Sequence, residues 1–144
     1  MSRQPAIADE LVDELVTRAL AARDNAYAPY SHYQVGCAIA AGGQQFEGAN
    51  VENSSYGMTL CAERSAVANA VYHKHYELDV VVVATSSSPP AAPCGMCLQT
   101  INEFASDPKA VRIVLVNPSG ERREFSLHDL LPHGFRKRQL DEAT

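Results

Sequence analysis

The spacing of apolar and polar residues divides the first half of the chain into a helix, two strands and a second helix. Between residues 6 and 24, apolar side chains recur every three or four positions with charged residues between them, which predicts an amphipathic helix. These apolar positions are Ile7, Leu11, Leu15, Ala19 and Ala22. Segments 33–41 and 44–51 flank a glycine pair and predict two strands joined by a turn. The alanine-rich segment 61–74 predicts the second helix.

In the second half of the chain, two continuous apolar runs predict strands that are buried on both faces. They are "LDVVVVATS" at 78–86 and "VRIVLVNP" at 111–118, and the segment 94–105 between them predicts a helix. "EFSLHDLLP" at 124–132 predicts a short strand that runs into a helical turn. Strands that alternate with helices indicate an α/β domain, in which crossover helices cover a mixed sheet.

Composition and charge favour a single-domain, soluble and cytoplasmic protein. A chain of 144 residues with 46% apolar residues predicts one domain over 1–144, and the apolar-poor tail from about residue 136 is expected to be flexible. A net charge of −5 argues against a nucleic-acid partner. No apolar run reaches the ~18 residues of a membrane span, and acidic residues interrupt the N-terminus where a signal peptide is apolar. In a reducing compartment, four cysteines suit metal binding or catalysis better than disulfides.

Three of the four cysteines lie in two short motifs at predicted helix starts. "CAER" begins at Cys61, and "PCGMC" contains Cys94 and Cys97. Free backbone N–H groups and the helix dipole stabilise a thiolate there, and thiolates are ligands of zinc. Three protein ligands leave the fourth tetrahedral position open, as in catalytic zinc sites. Cys37 lies inside an apolar strand, where an ordinary core cysteine is expected rather than a fourth ligand.

Glu63 supplies a carboxylate beside this cysteine group. A carboxylate next to metal-activated water can carry a proton to a leaving group. Cys61 and Glu63 would point almost oppositely within a regular helix, so Cys61 is expected just before the helix begins. A lone C-x-x-C would suit a redox site equally well, whereas Cys-Ala-Glu joined to Pro-Cys-x-x-Cys is a specific combination.

These motifs resemble the zinc-dependent cytidine deaminase family, specifically its small homotetrameric nucleoside branch, from about residue 30 to residue 135. The resemblance implies a three-layer α/β/α fold with a mixed five-stranded sheet. It also implies one Zn²⁺ per subunit on Cys61, Cys94 and Cys97, with active sites near the subunit interfaces. The implied reaction is the hydrolytic deamination of cytidine, and of deoxycytidine, to the uracil nucleoside and ammonia, as in pyrimidine salvage. Glu63 would be the proton shuttle for zinc-activated water.

The same resemblance implies residues that contact the nucleoside. "NVENSSYG" is similar to the family's sugar-binding segment, in which Asn50 and Glu52 would hydrogen-bond a ribose hydroxyl from one side of an extended segment. Tyr33 matches an aromatic residue that packs near the pyrimidine. Tyr56 and Phe135 match aromatic residues around the active site, partly across subunits. These residue types also suit structural positions, as turn or strand-end residues and as core aromatic residues.

Arg64 resembles the family's arginine that hydrogen-bonds the zinc thiolates and offsets their net negative charge. A surface arginine is the structural alternative. The small branch usually carries a second arginine directly after the last cysteine, where this chain has Leu98. Either Arg64 suffices alone, or the pocket is adapted to another substrate.

Other functions stay open beside the deamination of cytidine. Leu98 keeps open a deaminase of a modified cytidine or of a blasticidin-type nucleoside. A non-catalytic zinc-binding module is the alternative from another class, but it has no need of Glu63. Polynucleotide editing is disfavoured by the acidic charge and by the lack of interleaved aromatic and basic residues.

Overall fold

The computed structural model describes residues 7–142 and contains one mixed five-stranded sheet covered by helices. The helices are α1 (Asp9–Arg23), α2 (Ala62–Tyr72), α3 (Gly95–Glu103), α4 (Leu127–Leu130) and α5 (Lys137–Glu142). The strands are β1 (Gly36–Ala41), β2 (Gln44–Ala49), β3 (Val80–Ala84), β4 (Arg112–Val116) and β5 (Arg122–Ser126). Their order in the sheet is β2-β1-β3-β4-β5; β3 and β4 are parallel and the other pairs are antiparallel. The predicted α/β fold with a mixed five-stranded sheet is confirmed, with element ends displaced by a few residues.

The sheet separates two apolar clusters, so the domain has three layers. On one face α1 packs against alternate residues of the central strands, including Val80 and Val82. On the other face α2 and α3 pack against the residues between them, including Val81 and Val83. The run of four valines is therefore buried on both faces, as its sequence predicts.

Helix α1 is shorter than its sequence pattern predicts. It begins at Asp9 rather than at residue 6, which lies outside the described residues, and Ile7 precedes it. The buried face consists of Val12, Leu15, Ala19 and Ala22. Val12 takes the buried position that the spacing assigned to Leu11, which is only partly buried. Since both sets satisfy a period of 3.6 residues, the packing against the sheet decides between them.

Two glycines bring helices into direct contact with the sheet backbone. A Cβ atom on Gly48 of β2 would lie 2.4 Å from the N atom of Ala66 and 2.7 Å from the O atom of Ala62, both in α2. A Cβ atom on Gly36 of β1 would lie 2.1 Å from the O atom of Ala19 in α1. The absence of a side chain at these positions sets the distance of α1 and α2 from the sheet.

The C-terminal segment is hydrogen-bonded to α3. The guanidinium of Arg136 donates to Ala105 O at 2.6 Å and to Asn102 Oδ1 at 3.1 Å, at the C-terminal end of α3. The side chain of Asn102 donates to Phe135 O at 2.9 Å. Beyond Arg136, where the sequence predicts a flexible tail, the described residues form the short exposed helix α5. Among residues 7–142, no helix is long and apolar enough to cross a membrane.

Candidate active site

Two of the predicted ligand cysteines lie immediately before helices that cover the same face of the sheet. Cys61 precedes α2 with extended backbone angles (φ −70°, ψ 154°), and Cys94 precedes α3 (φ −68°, ψ 168°). Cys97 lies in the first turn of α3 and is fully buried. The three Sγ atoms lie within 4.8 Å of one another, and residues 7–142 contain no other such trio of His, Cys, Asp or Glu side chains. The extended backbone at Cys61 lets it line the same pocket as Glu63.

The surroundings of Cys94 and Cys97 shift the pKa values of their thiols in opposite directions. Burial, and after it the charges of Glu63 and Cys61, raises the pKa of the Cys97 thiol. Burial also opposes the ionisation of Cys94, but hydrogen bonds from Cys97 and from the backbone N–H of Met96 outweigh it and lower the pKa of Cys94. A bound cation would relieve the repulsion between these groups. Three convergent sulfur donors suit Zn²⁺, so the residues fit the predicted metal.

Cys37 is a core residue, as its place in an apolar strand predicts. It is fully buried in β1, in the cluster between the sheet and α2. Its Sγ atom is not part of the metal-binding trio. Burial, and to a smaller extent the charge of Glu63, raises the pKa of its thiol, which therefore stays protonated.

Glu63 is a buried carboxylate that faces the cysteine trio. It lies in the first turn of α2 and is 6% exposed. Burial raises the pKa of its carboxyl, while hydrogen bonds from its own backbone N–H and from Cys97 oppose this rise. A carboxyl whose pKa is raised above its ordinary value is better suited to donate a proton as well as to accept one. Its position in a cleft beside the trio therefore suits general acid–base chemistry.

The cleft that contains Glu63 has a volume of about 300 Å³. Its lining includes Cys61, Glu63 and Cys94. The predicted substrate residues Tyr33, Asn50 and Glu52 also line it, with Ser31, Thr59 and Thr85. The apolar residues of the wall are Val35, Ala62, Val83, Ala91 and Ala92. The structure thus brings six of the predicted site residues to one cleft, with Cys97 buried beside it.

Asn50 and Glu52 also hold the loop that carries Tyr33. The side chain of Asn50 accepts a hydrogen bond from Val35 N at 2.9 Å and donates one to Tyr33 O at 2.8 Å. Glu52 accepts hydrogen bonds from Tyr30 N at 2.9 Å and from both the backbone N and the hydroxyl of Ser31. The hydrogen bond from the Ser31 hydroxyl is the main cause that lowers the pKa of Glu52. Both residues therefore have a structural role in addition to their place in the cleft.

Tyr56 and Phe135 do not line the cleft of their own chain. Tyr56 is 74% exposed and lines an adjoining depression with Tyr30, whose ring it meets edge to face at 5.6 Å. Phe135 is 55% exposed, and its backbone O atom is held by α3 through Gln99 and Asn102. Both rings face outward, so any contact with substrate would involve a cleft other than the one described above.

Arg64 and Leu98 differ sharply in their surroundings. The Arg64 guanidinium donates to Thr59 O at 2.7 Å and to Cys61 Sγ at 3.7 Å. The hydrogen bond to Cys61 is the main cause that raises the pKa of Arg64. Leu98 is 6% exposed and packs in the core cluster formed with α2 and the sheet. The position directly after the last cysteine is therefore a core position that does not line the cleft in this chain.

Sequence reasoning did not identify Ser31 and Ser87 as residues that shape the cleft. The Ser31 hydroxyl binds Glu52 and accepts from Tyr33 N at 3.0 Å. Ser87 shares a hydrogen bond with the Tyr33 hydroxyl. The turn-forming residues around Ser31 are a signal for the first contact. The second joins residues 54 positions apart, which no local pattern reveals.

Known proteins of one kind resemble this chain over most of its length. The family model "Cytidine and deoxycytidylate deaminase zinc-binding region" matches residues 9–114. A cytidine deaminase of Mycoplasma genitalium is 40% identical over 113 residues, which cover 78% of this chain and 85% of that protein. A cytidine deaminase of Sporosarcina psychrophila is 38% identical over 134 residues, which cover 92% and 97%. The crystal structure of cytidine deaminase from Burkholderia pseudomallei matches with a TM-score of 0.81 and 39% identity, covering 90% of this chain and all of that one.

Proposed function

The chain belongs to the cytidine and deoxycytidylate deaminase zinc-binding family, and we propose that it deaminates cytidine and deoxycytidine hydrolytically to the uracil nucleoside and ammonia. The observation that carries this proposal is the buried carboxylate of Glu63 beside three convergent thiols, two of which line the same cleft. The cleft volume of about 300 Å³ suits a free nucleoside and lies at the small end of ligand pockets. The relatives named cytidine deaminase support the same substrate.

Cys61, Cys94 and Cys97 would hold the zinc ion, and Glu63 would move the protons. Bound there, Zn²⁺ supplies Lewis-acid activation of water. Glu63 accepts a proton from the attacking water and delivers it to ring N3 of the pyrimidine, while the water oxygen adds to C4. A second proton, from the hydroxyl group now on C4, then passes through Glu63 to the amino group. The C4–N bond breaks as the C4 carbonyl forms, and ammonia leaves. Burial of Glu63 excludes bulk water from these transfers.

The other cleft residues would bind and orient the nucleoside. Asn50 and Glu52, which line the cleft, would hydrogen-bond the ribose. The ring of Tyr33 would pack against the pyrimidine. Arg64, in contact with Cys61 Sγ, would offset the negative charge of the three thiolates.

The same proposal extends to the assembly and the cell compartment. Exposed rings at Tyr56 and Phe135 support a homotetramer in which these residues lie at interfaces near the active sites. Free thiols at all four cysteines support a cytoplasmic location. The reaction would return cytosine nucleosides to the uracil pool, which is a step of pyrimidine salvage.

Leu98 gives little support to a different nucleoside as the substrate. A modified cytidine or a blasticidin-type nucleoside remained an alternative because a leucine replaces the arginine of the family pattern. That leucine packs in the core and is absent from the cleft lining. The presence of leucine instead of arginine at position 98 therefore affects the packing of the core and not the set of residues that line the cleft.

The test is ammonia release from cytidine by the zinc-loaded protein and by two variants. Glu63→Gln keeps the shape of the side chain but cannot shuttle protons, so turnover should fall by about 10³-fold or more with zinc retained. Glu103→Gln makes the same change at an exposed position on α3 and should behave as the wild type. Retained turnover in Glu63→Gln, or loss of its zinc by metal analysis, would contradict the assigned role. Failure of the wild type to release ammonia would overturn the proposed substrate.

A further inference from the structure

A hydrogen bond between Tyr33 and Ser87 joins two separate segments of the cleft wall. Tyr33 belongs to the segment that lines the cleft with Ser31 and Val35. Ser87 belongs to the loop after β3, which lines the cleft further on at Ala91. The Tyr33 hydroxyl and the Ser87 hydroxyl share the hydrogen bond. The side chain of Tyr33 is thus attached to the loop that leads to Cys94 and Cys97.

The backbone of Ser87 is in turn held by a buried amide. Asn117 follows β4 and is 2% exposed. Its Nδ2 atom donates to Ser87 O and to Glu121 Oε1, each at 3.0 Å. Its Oδ1 atom accepts from Glu121 N at 3.0 Å and from Ser119 Oγ at 2.9 Å. All four hydrogen-bonding sites of the amide are occupied, so its orientation is fixed.

Glu121 gives the loop a second attachment to the same turn. The hydroxyl of Ser88 donates to Glu121 Oε1, and this bond is the main cause that lowers the pKa of Glu121. Asn117 also donates to that carboxylate oxygen. The turn between β4 and β5 therefore holds Ser87 and Ser88 together, although no residue of that turn lines the cleft.

Tyr33 is consequently held at both ends. Asn50 donates to its backbone O atom at 2.8 Å, and Ser87 binds its hydroxyl. The side chain is 38% exposed, so without the second bond its ring would have room to change rotamer. A ring that is already fixed loses less conformational entropy when a ligand packs against it.

We propose that Asn117 is a positioning residue for the nucleoside cleft: by holding Ser87, it fixes the ring of Tyr33 as a preformed wall for the base. This inference rests on the proposed function, because it assumes that the cleft binds a nucleoside. It assigns to the turn between β4 and β5 a role in substrate affinity. Chemistry at Glu63 and the metal ligands is not involved, so the role should appear in KM and in dissociation constants rather than in kcat.

The test compares Tyr33→Phe, Ser87→Ala and Asn117→Asp with the wild type, using cytidine. Tyr33→Phe keeps the ring and removes the hydroxyl; Asn117→Asp keeps the shape and removes the Nδ2 donor. Each should raise KM in the active protein by roughly three- to tenfold, the effect of one lost hydrogen bond. The dissociation constant of cytidine should rise by the same factor when calorimetry is done in the Glu63→Gln background, where cytidine is not consumed. The kcat value and the zinc content should stay within about twofold of the wild type. Tyr76→Phe makes the same chemical change at an exposed tyrosine and should alter neither constant.

Double variants show whether Tyr33, Ser87 and Asn117 act through the same hydrogen bond or through independent packing effects. Tyr33→Phe combined with Ser87→Ala, or with Asn117→Asp, should lose no more affinity than the weaker-binding single variant. Additive losses, an unchanged dissociation constant in Tyr33→Phe, or a fall in kcat with zinc loss would each overturn the inference. If Asn117→Asp does not fold, the Tyr33 and Ser87 variants still decide whether the bond sets affinity, and Ser88→Ala tests the attachment to the turn. If the wild type binds cytidine without releasing ammonia, the proposed function fails while the dissociation constants still judge the inference.

Discussion

A methyl group added at Gly48 should impair catalysis although Gly48 lies outside the cleft. In Gly48→Ala the new Cβ atom would lie 2.4 Å from Ala66 N, 2.9 Å from Ala66 Cα and 2.7 Å from Ala62 O. These are backbone atoms of α2, so no flexible side chain can move aside. Since carbon contacts are optimal near 3.5–4.0 Å, α2 would have to move away from the sheet by roughly 1 Å. Glu63 lies in the first turn of this helix, and Cys61 directly precedes it.

The displacement of α2 in Gly48→Ala should lower both the stability of the fold and kcat. Overpacking a core costs about 1–3 kcal/mol, and the reduced freedom of the unfolded chain offsets about 0.4–1 kcal/mol of it. A misplacement of about 1 Å at a catalytic group can cost about 10²-fold in rate. We therefore expect the midpoint of thermal unfolding to fall by several degrees, and kcat for cytidine to fall by about 10²-fold.

Calorimetry and steady-state kinetics on the zinc-loaded protein would measure both changes. Gly57→Ala is the matched control, because an added Cβ there meets no atom within 4 Å. It should leave the midpoint near the wild-type value. A destabilised Gly48→Ala variant with full kcat would show that α2 does not position Glu63, and the reasoning would fail. An undisturbed midpoint would show that the contact is relieved without moving the helix.

Two further substitutions test the packing at position 98 and a helix cap. Leu98→Arg would bury an unpaired guanidinium in the core and should lower the free energy of unfolding by about 3 kcal/mol or more. Leu98→Met keeps an apolar side chain of similar size and should lower it by less than about 1.5 kcal/mol. Equal losses for the two variants in urea denaturation would contradict the core role of Leu98. The backbone N–H of Ser126, followed by the Ser126 hydroxyl, holds the pKa of Asp129 below its usual range in the capping box of α4. A lowered carboxyl pKa stabilises the folded state above the unfolded-state pKa, and this contribution disappears as the pH falls through the folded-state pKa. Asp129→Asn should therefore be less stable than the wild type in urea at pH 7, and this difference should shrink as the pH falls through the folded-state pKa of Asp129. A pH-independent difference would refute the linkage.

The sequence predicted the parts of the fold that local patterns determine. The run of four valines at 80–83 indicated a strand buried on both faces, and the cysteine motifs indicated two helix starts that share a metal. The buried face of α1 was predicted correctly at Leu15, Ala19 and Ala22. Leu11 was assigned in place of Val12, because both satisfy the helical period and only the sheet distinguishes them.

The arrangement around the cleft could not be predicted because its contacts join distant segments. Glu52 accepts from Tyr30 and Ser31, about twenty residues earlier, so its structural role was not visible beside its proposed role in sugar binding. Leu98 was interpreted from charge alone, since the motif alone does not say which side of α3 faces the core. The cysteine motifs and the family resemblance indicate the metal, whereas the contacts that fix the cleft join segments with no shared local pattern.

The two close-packed glycines restrict how this cleft can evolve. Gly36 pairs with Ala49, and Gly48 pairs with Cys37 one rung away, so helices press on the paired strands from both faces at neighbouring positions. These backbone contacts fix the position of α2 against the sheet, so the wall that carries Glu63 cannot be repositioned without loss of packing. Adaptation to a larger nucleobase would therefore begin in the loop after β3, where the small residues Ala91 and Ala92 line the cleft just before the second cysteine motif. A mutational library directed at that loop should yield altered substrate range, whereas one directed at the glycine rungs should yield mainly inactive proteins.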